Sequence, residues 1–563
     1  MLFYPCWCSI PQNGVCRLQE TKNQSFIKSA AILVSASLFV KIIGSLYKIP
    51  LFQDDVLGDA GIGVFQVTYS IYSFVLAIAT AGIPVALSRL VSSAVARNDI
   101  NQAKRYFSIA LPAFAVIGFI AMAAMFLFAE QIASLMNNSL TAPGIRVLSP
   151  AVLFVCIISV YRGYTQGFEN MIPTAMSQVV EVLCKAAFGI VVALWMSKQL
   201  YEAQFVSAGA IVGVTIGLGL CVPLLIWYKH RHDKRLPSQQ AVIPTLDEAE
   251  QKTRLQILAK ILKVSIPITI GASFMTLMTV IASSVVLGRL QVGLSITEDE
   301  ASALFGIFSK GLTLYNLPSA LIVPISVSIV PAIAAAIVRG VKGEAGGIMQ
   351  SAVKLVNLLA MPASAGLIVL AGPILIALYD ESRSSATIVL MLLGAASFFV
   401  CLQSITMAIL QANGNERFTM FAVPIGGIVQ IILDYFLVAN TSIGIIGAAV
   451  GTLACFITIC SLNIVRIKTK VNDKPKFGVV FIKPLICTVV MGVVAFVVYK
   501  GSHMLALGVL GERRTTVIVA LIPAIVLAII AYLIMIIITH TITREDIKLV
   551  PKGEKLAKLL RIQ

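Results

Sequence analysis

The chain is divided into apolar runs of helical length. They fall at about 26–51, 62–96, 107–129, 147–168, 172–196 and 205–228. After a charged stretch they resume at about 258–288, 302–337, 350–379, 385–411, 418–439, 443–465, 478–499 and 515–539. A helix rising about 1.5 Å per residue needs roughly 20 apolar residues to cross the ~30 Å hydrocarbon layer of a bilayer. Backbone polar groups find no water in that layer, so a helix is the simplest structure that satisfies them. These runs predict an all-α polytopic membrane protein with about 14 transmembrane helices. Charged residues are 12% of the chain, roughly half the share of a soluble domain. The runs at 62–96 and 302–337 exceed a bilayer's need and predict tilted helices that project beyond it.

Charge fixes an expected orientation. With the N-terminus in the cytoplasm, Lys and Arg crowd into the segments before 29 and at 97–105, 229–263, 339–342, 466–483 and 544–561. Arg162 and Arg417 then fall in short inner loops. The outer loops hold fewer cations and carry acids, as in Asp54-Asp55 and Glu298-Asp299-Glu300. This is the positive-inside pattern of a multi-pass protein of the cytoplasmic membrane, with both termini inside. The net charge of +17 therefore reflects topology and points to no nucleic-acid partner. Met1–Asn23 lacks a basic segment followed by an apolar one, so it is expected to be a disordered leader or an overextended start, not a signal peptide.

The chain also repeats itself. Gly63, Phe65, Tyr72 and Ala77 match Gly306, Phe308, Tyr315 and Ala320. Gln166, Asn170 and Thr174 match Gln411, Asn415 and Thr419, and Gly209, Ala210 and Gly213 match Gly447, Ala448 and Gly451. The matches keep one order and nearly one offset. They divide the chain into an N-terminal tail (1–24), an N-lobe of six helices (25–228), a basic linker (229–257) and a C-lobe of six helices (258–466). Two further helices (467–540) and a basic amphipathic tail (541–563) follow. Six is even, so both lobes enter from the same side, a transporter arrangement with the site between the lobes.

Ionisable residues inside spans mark binding surfaces or ion paths by default. Lys41 lies near the middle of the first run and Lys310 near the outer part of the eighth, and neither has an in-helix acid three or four residues away. Lys48 is near a helix end, where a lysine can snorkel, and Arg89 is in the inner half of a long helix, where interface packing is the alternative. Glu181 precedes Lys185 by one turn, the favoured orientation for an intrahelical pair, and Asp434 is the other acid within a run. Uncompensated cations in low dielectric call for an anion, and a diphosphate suits lysine's point charge. The seven cysteines inside runs read as small apolar residues. Cys6, Cys8 and Cys16 show no ligand spacing, and the four histidines sit at loops or helix ends. No metal site, cofactor or catalytic cluster is expected. A coupling ion or the membrane potential is left open.

Several motifs taken together resemble a known family. They are Ser25-Phe-Ile-Lys28, Lys41-Ile-Ile-Gly44, Tyr47-Lys-Ile-Pro50, Tyr161-Arg-Gly-Tyr-Thr-Gln-Gly167, Pro173-Thr-Ala with Ser177-Gln-Val-Val-Glu181, and Phe308-Ser-Lys310-Gly with Leu314-Tyr-Asn-Leu-Pro318. Their sequence resembles the stage V sporulation protein B group. This is a polysaccharide biosynthesis and export family of the multidrug/oligosaccharidyl-lipid/polysaccharide exporter superfamily. The resemblance implies two six-helix lobes around a central cavity and a lipid-facing groove at the last two helices. It also implies flipping of an undecaprenyl-diphosphate-linked sugar, lipid II or a relative, for peptidoglycan, other wall polysaccharide or spore cortex. Lipid II flippases look similar in carrying basic residues where this chain has Lys41 and Lys310. Those relatives usually have arginine, and often an acid where this chain has Gly61-Ile-Gly63.

The reading is thus a flippase, not an enzyme, working by alternating access. Lys41, Lys48, Arg89 and Lys310 attract the diphosphate, while Glu181, Lys185 and Asp434 serve as gating or ion-pair residues. Expected partners are the anionic lipid-linked oligosaccharide, membrane lipids and cell-wall synthesis proteins, around a monomer. The rivals are a drug/cation antiporter of the same superfamily, a polytopic lipid-sugar transferase and a non-transporting envelope scaffold.

Overall fold

The computed structural model describes residues 32–33, 35–234, 253–341, 343–475, 477–511, 513–539 and 541. The N-terminal tail, most of the basic linker and the basic C-terminal tail lie outside the described residues. Among the described residues the fold is all-helical, without strands. Among the described residues twelve helices are long and apolar enough to cross a membrane by length and composition. Of the two remaining runs in the sequence, the first is described only in part, as helix α1 (35–46), and the eighth lies in α10 (Glu298–Arg339).

In the N-lobe, α1 is followed by α2 (Lys48–Leu51), α3 (Gly58–Ala96), α4 (Ile100–Leu127), α5 (Ala129–Leu135), a 3-10 turn at Ser139–Thr141, α6 (Ala142–Gly167), α7 (Ile172–Lys198) and α8 (Ala203–Asp233). The C-lobe holds α9 (Arg254–Leu294), α10, α11 (Glu344–Val369), α12 (Ala371–Tyr379), α13 (Ser384–Ala412), α14 (Glu416–Leu437) and α15 (Ile446–Lys470). Helices α16 (Phe477–Leu510) and α17 (Arg514–Ile538) complete the chain. Helices α8 and α9 extend into the expected linker, to Asp233 and from Arg254.

Local chemistry sets several boundaries. Asp99 caps α4 by accepting from the Gln102 N–H at 2.8 Å. Thr253 with Gln256, and Thr297 with Glu300, form capping boxes that start α9 and α10. Glu298, Asp299 and Glu300 fill the first turn of α10, where the positive end of the helix dipole favours acids. The run read as one span at 350–379 is broken at Leu370 into α11 and α12. The N-lobe breaks in the same way at Phe128, between α4 and α5. Each short helix then ends near a residue of positive φ, Asn137 at 52° and Asp380 at 55°.

Packing repeats with the sequence. Helix α3 packs on α6, α4 on α6 and α7 on α8, while α10 packs on α13, α11 on α13 and α14 on α15. Helices α16 and α17 pair with each other and attach to the C-lobe through α11 and α12. The lobes meet where α3 crosses α9 and α10. The charge pattern assigns the start of α3 and α10 to the outer side, and that end is called outer below.

Candidate functional site

Polar side chains gather in three places: at the outer end between the lobes, inside the N-lobe, and in a C-lobe cavity.

At the outer end Lys310 is completely buried. Its ammonium lies 2.7 Å from Asp59 Oδ1, 3.1 Å from Asp54 Oδ1 and 3.2 Å from Glu381 Oε2. Arg383 adds a contact of 2.7 Å to Asp59 Oδ2 and one of 3.7 Å to Glu381 Oε1. Asp54 and Asp59 belong to the N-lobe, the other three to the C-lobe, so the cluster ties the lobes together. This corrects the sequence argument, which treats Lys310 as a cation without a partner. Its acids are remote in sequence, Asp54 and Glu381 in loops and Asp59 in the first turn of α3, and no helical spacing could have paired them.

A second tie closes the outer end across the seam, and it is neutral in its key contact. Asn138 Nδ2 donates to Ser302 Oγ at 2.8 Å, Asn137 Nδ2 to the Ser284 carbonyl at 3.1 Å, and Gln291 Nε2 to the Asn137 carbonyl at 2.6 Å. Ser139 donates through its backbone N–H to Glu298 at 3.1 Å. The two ties are related by the repeat. The loop after α5 holds Asn137 and Asn138, and the loop after α12 holds Asp380 and Glu381 at the same step of 243 residues that relates Asp59 to Ser302.

Inside the N-lobe, Glu181 accepts from Tyr72 at 2.9 Å and pairs with Arg162 at 3.4 Å. Arg162 Nε also donates to Ser177 Oγ at 2.9 Å. Two expectations change here. Arg162 is buried within α6, not placed in an inner loop. Glu181 takes Arg162 in place of Lys185, whose ammonium donates to the Tyr69 hydroxyl at 3.2 Å and lies over the rings of Tyr47 and Tyr69. Lys48 continues this ladder: it lies 4.8 Å from the Tyr69 ring centre and donates to Gln66 Oε1 at 3.1 Å. A lysine over an aromatic face is stabilised by the ring's negative quadrupole.

Lys48 and Gln66 also line a cavity of about 310 Å³ whose other walls are C-lobe residues, among them Thr279, Ser283, Asn316, Gln430, Asp434 and Thr452. Lys48 therefore faces the space between the lobes. Asp434 is fully buried, and neither carboxylate oxygen has a hydrogen-bond partner among the described residues. The expected ion pair for Asp434 is absent among the described residues. Its repeat counterpart is Gly189, where α7 and α8 meet backbone to backbone against Gly213; a Cβ on Gly213 would stand 2.4 Å from the Gly189 nitrogen. In the C-lobe the matching Gly451 leaves room for the Asp434 carboxylate, with Oδ1 2.0 Å from where a Cβ would be. An ionisable residue so buried in a span marks a binding surface or an ion path.

The remaining predicted residues join none of these groups. Lys41 is exposed on the α1 face that carries Ser37 and Gly44, and Ser37 donates to Gln178 of α7 at 3.4 Å. Arg89 is exposed on the inner half of α3. A larger groove of about 910 Å³ runs along the seam of α3, α4 and α9, lined by residues such as Phe74, Phe114, Leu262 and Ile270 without a charged side chain. It suits hydrocarbon and offers no chemistry for an anion.

Comparison with known proteins identifies the family and the fold. Residues 26–337 match the family described as "Polysaccharide biosynthesis protein". The chain is 27% identical over 544 residues to the uncharacterized membrane protein YabM of Bacillus subtilis (strain 168), covering 95% of this chain and 96% of that protein. It is 25% identical over 446 residues to stage V sporulation protein B of the same organism, covering 78% and 83%. It is 23% identical over 450 residues to its lipid II flippase MurJ, covering 77% and 81%. Among solved structures, a lipid II flippase MurJ in an inward closed conformation superposes with a TM-score of 0.66 at 16% identity, over 90% of this chain and 98% of that one. An inward-facing multidrug resistance MATE family transporter of the MOP superfamily gives 0.58 at 17% identity, over 78% and 100%. Both likenesses concern the fold.

Proposed function

We propose, from the premise that this chain belongs to the polysaccharide biosynthesis protein family, that it is a flippase for an undecaprenyl-diphosphate-linked sugar, lipid II or a related lipid-linked oligosaccharide. It moves this substrate across the cytoplasmic membrane by alternating access, for wall polysaccharide, peptidoglycan or spore cortex. The name of one relative, lipid II flippase MurJ, supports the substrate class, and that of another, stage V sporulation protein B, supports a role in the spore.

The observation that carries the reading is the placement of Lys310. Its ammonium is held by Asp54 and Asp59 of the N-lobe and by Glu381 of its own lobe, so the two N-lobe acids leave it only when the lobes part at the outer end. A diphosphate can then take the place of the acids. Lys48 faces the inter-lobe cavity, Lys41 is exposed in mid-helix, and Arg89 lies toward the inner mouth. These are the cations proposed to lead the diphosphate in. Glu181 with Arg162, and Lys185 with Tyr69, keep the N-lobe side of the path in register. Asp434 is the proposed point at which a proton or cation gradient couples to the lobes. The protein works as a monomer beside the cell-wall synthesis proteins that make and use its substrate.

A cation-exporting reading draws on Asp434, an acid in the cavity with no cationic partner among the described residues. The two separate in one experiment: lipid II translocation in proteoliposomes and efflux of a cationic dye, each with the parental chain, Lys41→Ala and Lys310→Ala. The flippase reading expects translocation that both substitutions reduce. Dye efflux without lipid translocation, or full translocation in both variants, overturns it.

A further inference from the structure

The two outer ties differ in what stands behind them. The neutral one is made by the loop after α5, a helix that packs on α4, α6 and the 3-10 turn, all within its own lobe. The charged one is made by the loop after α12, and α12 packs on α17, which has no counterpart in the repeat.

The contact is concentrated on one side chain. Arg514, the first residue of α17, donates from its guanidinium to the Ala377 carbonyl at 3.1 and 3.3 Å, to the Leu378 carbonyl at 3.0 Å and to Gln53 Oε1 at 3.1 Å. Gln53 Nε2 donates to the same Leu378 carbonyl at 2.5 Å. Ala377 and Leu378 are in the last turn of α12, where carbonyls lack helical partners and the dipole is negative. These acceptors are neutral, so Arg514 acts here as a planar fork fixing positions, not as half of an ion pair. Gln53 immediately precedes Asp54, and Leu378 is followed closely by Glu381. These are two of the three acids on Lys310.

We propose that Arg514 is a positioning residue for transport: it sets the spacing at which Asp54 and Glu381 close on Lys310, so closure of the outer end depends on where α17 stands. The role in transport rests on the flippase reading; the geometry of the closure does not.

The test uses spin labels at Asp55→Cys and Ser382→Cys, both exposed, on opposite sides of the charged tie. The chain is full-length with its native cysteines replaced, and distances are read by double electron–electron resonance in lipid nanodiscs. The parental pair is expected to show one short population. Arg514→Ala is expected to add a longer one, and Arg514→Lys to behave in the same way, because one ammonium cannot serve three acceptors in a plane. Gln53→Ala, which leaves Arg514 on α12, is expected to lengthen the distance too and carries the test if Arg514→Ala does not fold. Parental distributions in Arg514→Lys, or in Gln53→Ala, overturn the proposal. Failure of the parental protein to move lipid II counts against the flippase reading and leaves this readout intact.

Discussion

Gly63 and Gly306 press reciprocally on the opposite lobe. A Cβ on Gly63 would stand 1.9 Å from the Ser302 carbonyl oxygen, and one on Gly306 2.0 Å from that of Asp59. Gly63 and Gly306 are repeat mates, and so are Asp59 and Ser302, so the pseudo-twofold axis passes through this contact. Backbone approaches this close tolerate only glycine. Closure of the outer end is thereby written into a residue type at two matched positions.

Gly63→Ala and Gly306→Ala should therefore each hold the outer end apart while leaving each lobe's own packing intact. The expected result is faster labelling of a cysteine at Ser302 by a membrane-impermeant maleimide, with thermal stability close to parental. The two substitutions should act alike, since the contact is symmetric. Unchanged labelling in both would show that the outer end accommodates the methyl without opening.

The charged tie makes a second prediction. Removing one partner of a buried ion cluster costs about 3–5 kcal/mol, because the remaining charges stay buried and unpaired. Lys310→Met leaves Asp54, Asp59 and Glu381 with Arg383 alone, so it should shift the protein to an outer-open form and stop translocation. Adding Asp59→Asn and Glu381→Gln removes the repulsion and should restore closure, read by the same maleimide labelling. Translocation should stay absent in this triple variant if the ammonium also meets the substrate. Recovered transport would reduce Lys310 to a closing device.

Much of this fold was legible in the sequence. Length and spacing of apolar runs predict the helices, and the repeat that includes Gly63 and Gly306 predicts two lobes related about an axis along the membrane normal. Run length did not show the breaks at Phe128 and Leu370, although Glu130-Gln131 follow the first and Gly372-Pro373 the second, local signals that could have located them. The site was legible in part. Lys48, Glu181, Lys185, Lys310 and Asp434 were singled out, but their partners were not. Tyr69, Tyr72, Arg162, Asp59 and Glu381 reach them from elsewhere in the chain, and period-3.6 reasoning sees only neighbours on one helix. Arg162 was misplaced because a basic residue five positions from a helix end reads as a loop charge.

The N-lobe pairing gives a third prediction. Exchanging the charges of Glu181 and Lys185 should not rescue the single variants, since Arg162 is the partner of Glu181. The exchange Arg162→Glu with Glu181→Arg should restore part of the activity lost by Glu181→Arg alone. Complementation of a flippase-deficient strain, with membrane expression measured for each variant, reads both. Rescue by the Lys185 exchange would return the pair to a single helix.

Asp434 supplies the last prediction. Asparagine has nearly the same shape and keeps no charge in a site that offers the carboxylate no hydrogen bond, so Asp434→Asn should fold at least as well as the parent. The cavity residues Gln430 and Thr452, linked by a hydrogen bond of 3.4 Å, would remain in place. If Asp434 takes up a proton or cation during the cycle, the amide cannot follow it. Translocation in proteoliposomes should then lose its response to an imposed proton or sodium gradient while the ungated basal rate persists. A parental gradient response in Asp434→Asn would move the coupling elsewhere and leave Asp434 as a neutral acid filling the space between α14 and α15.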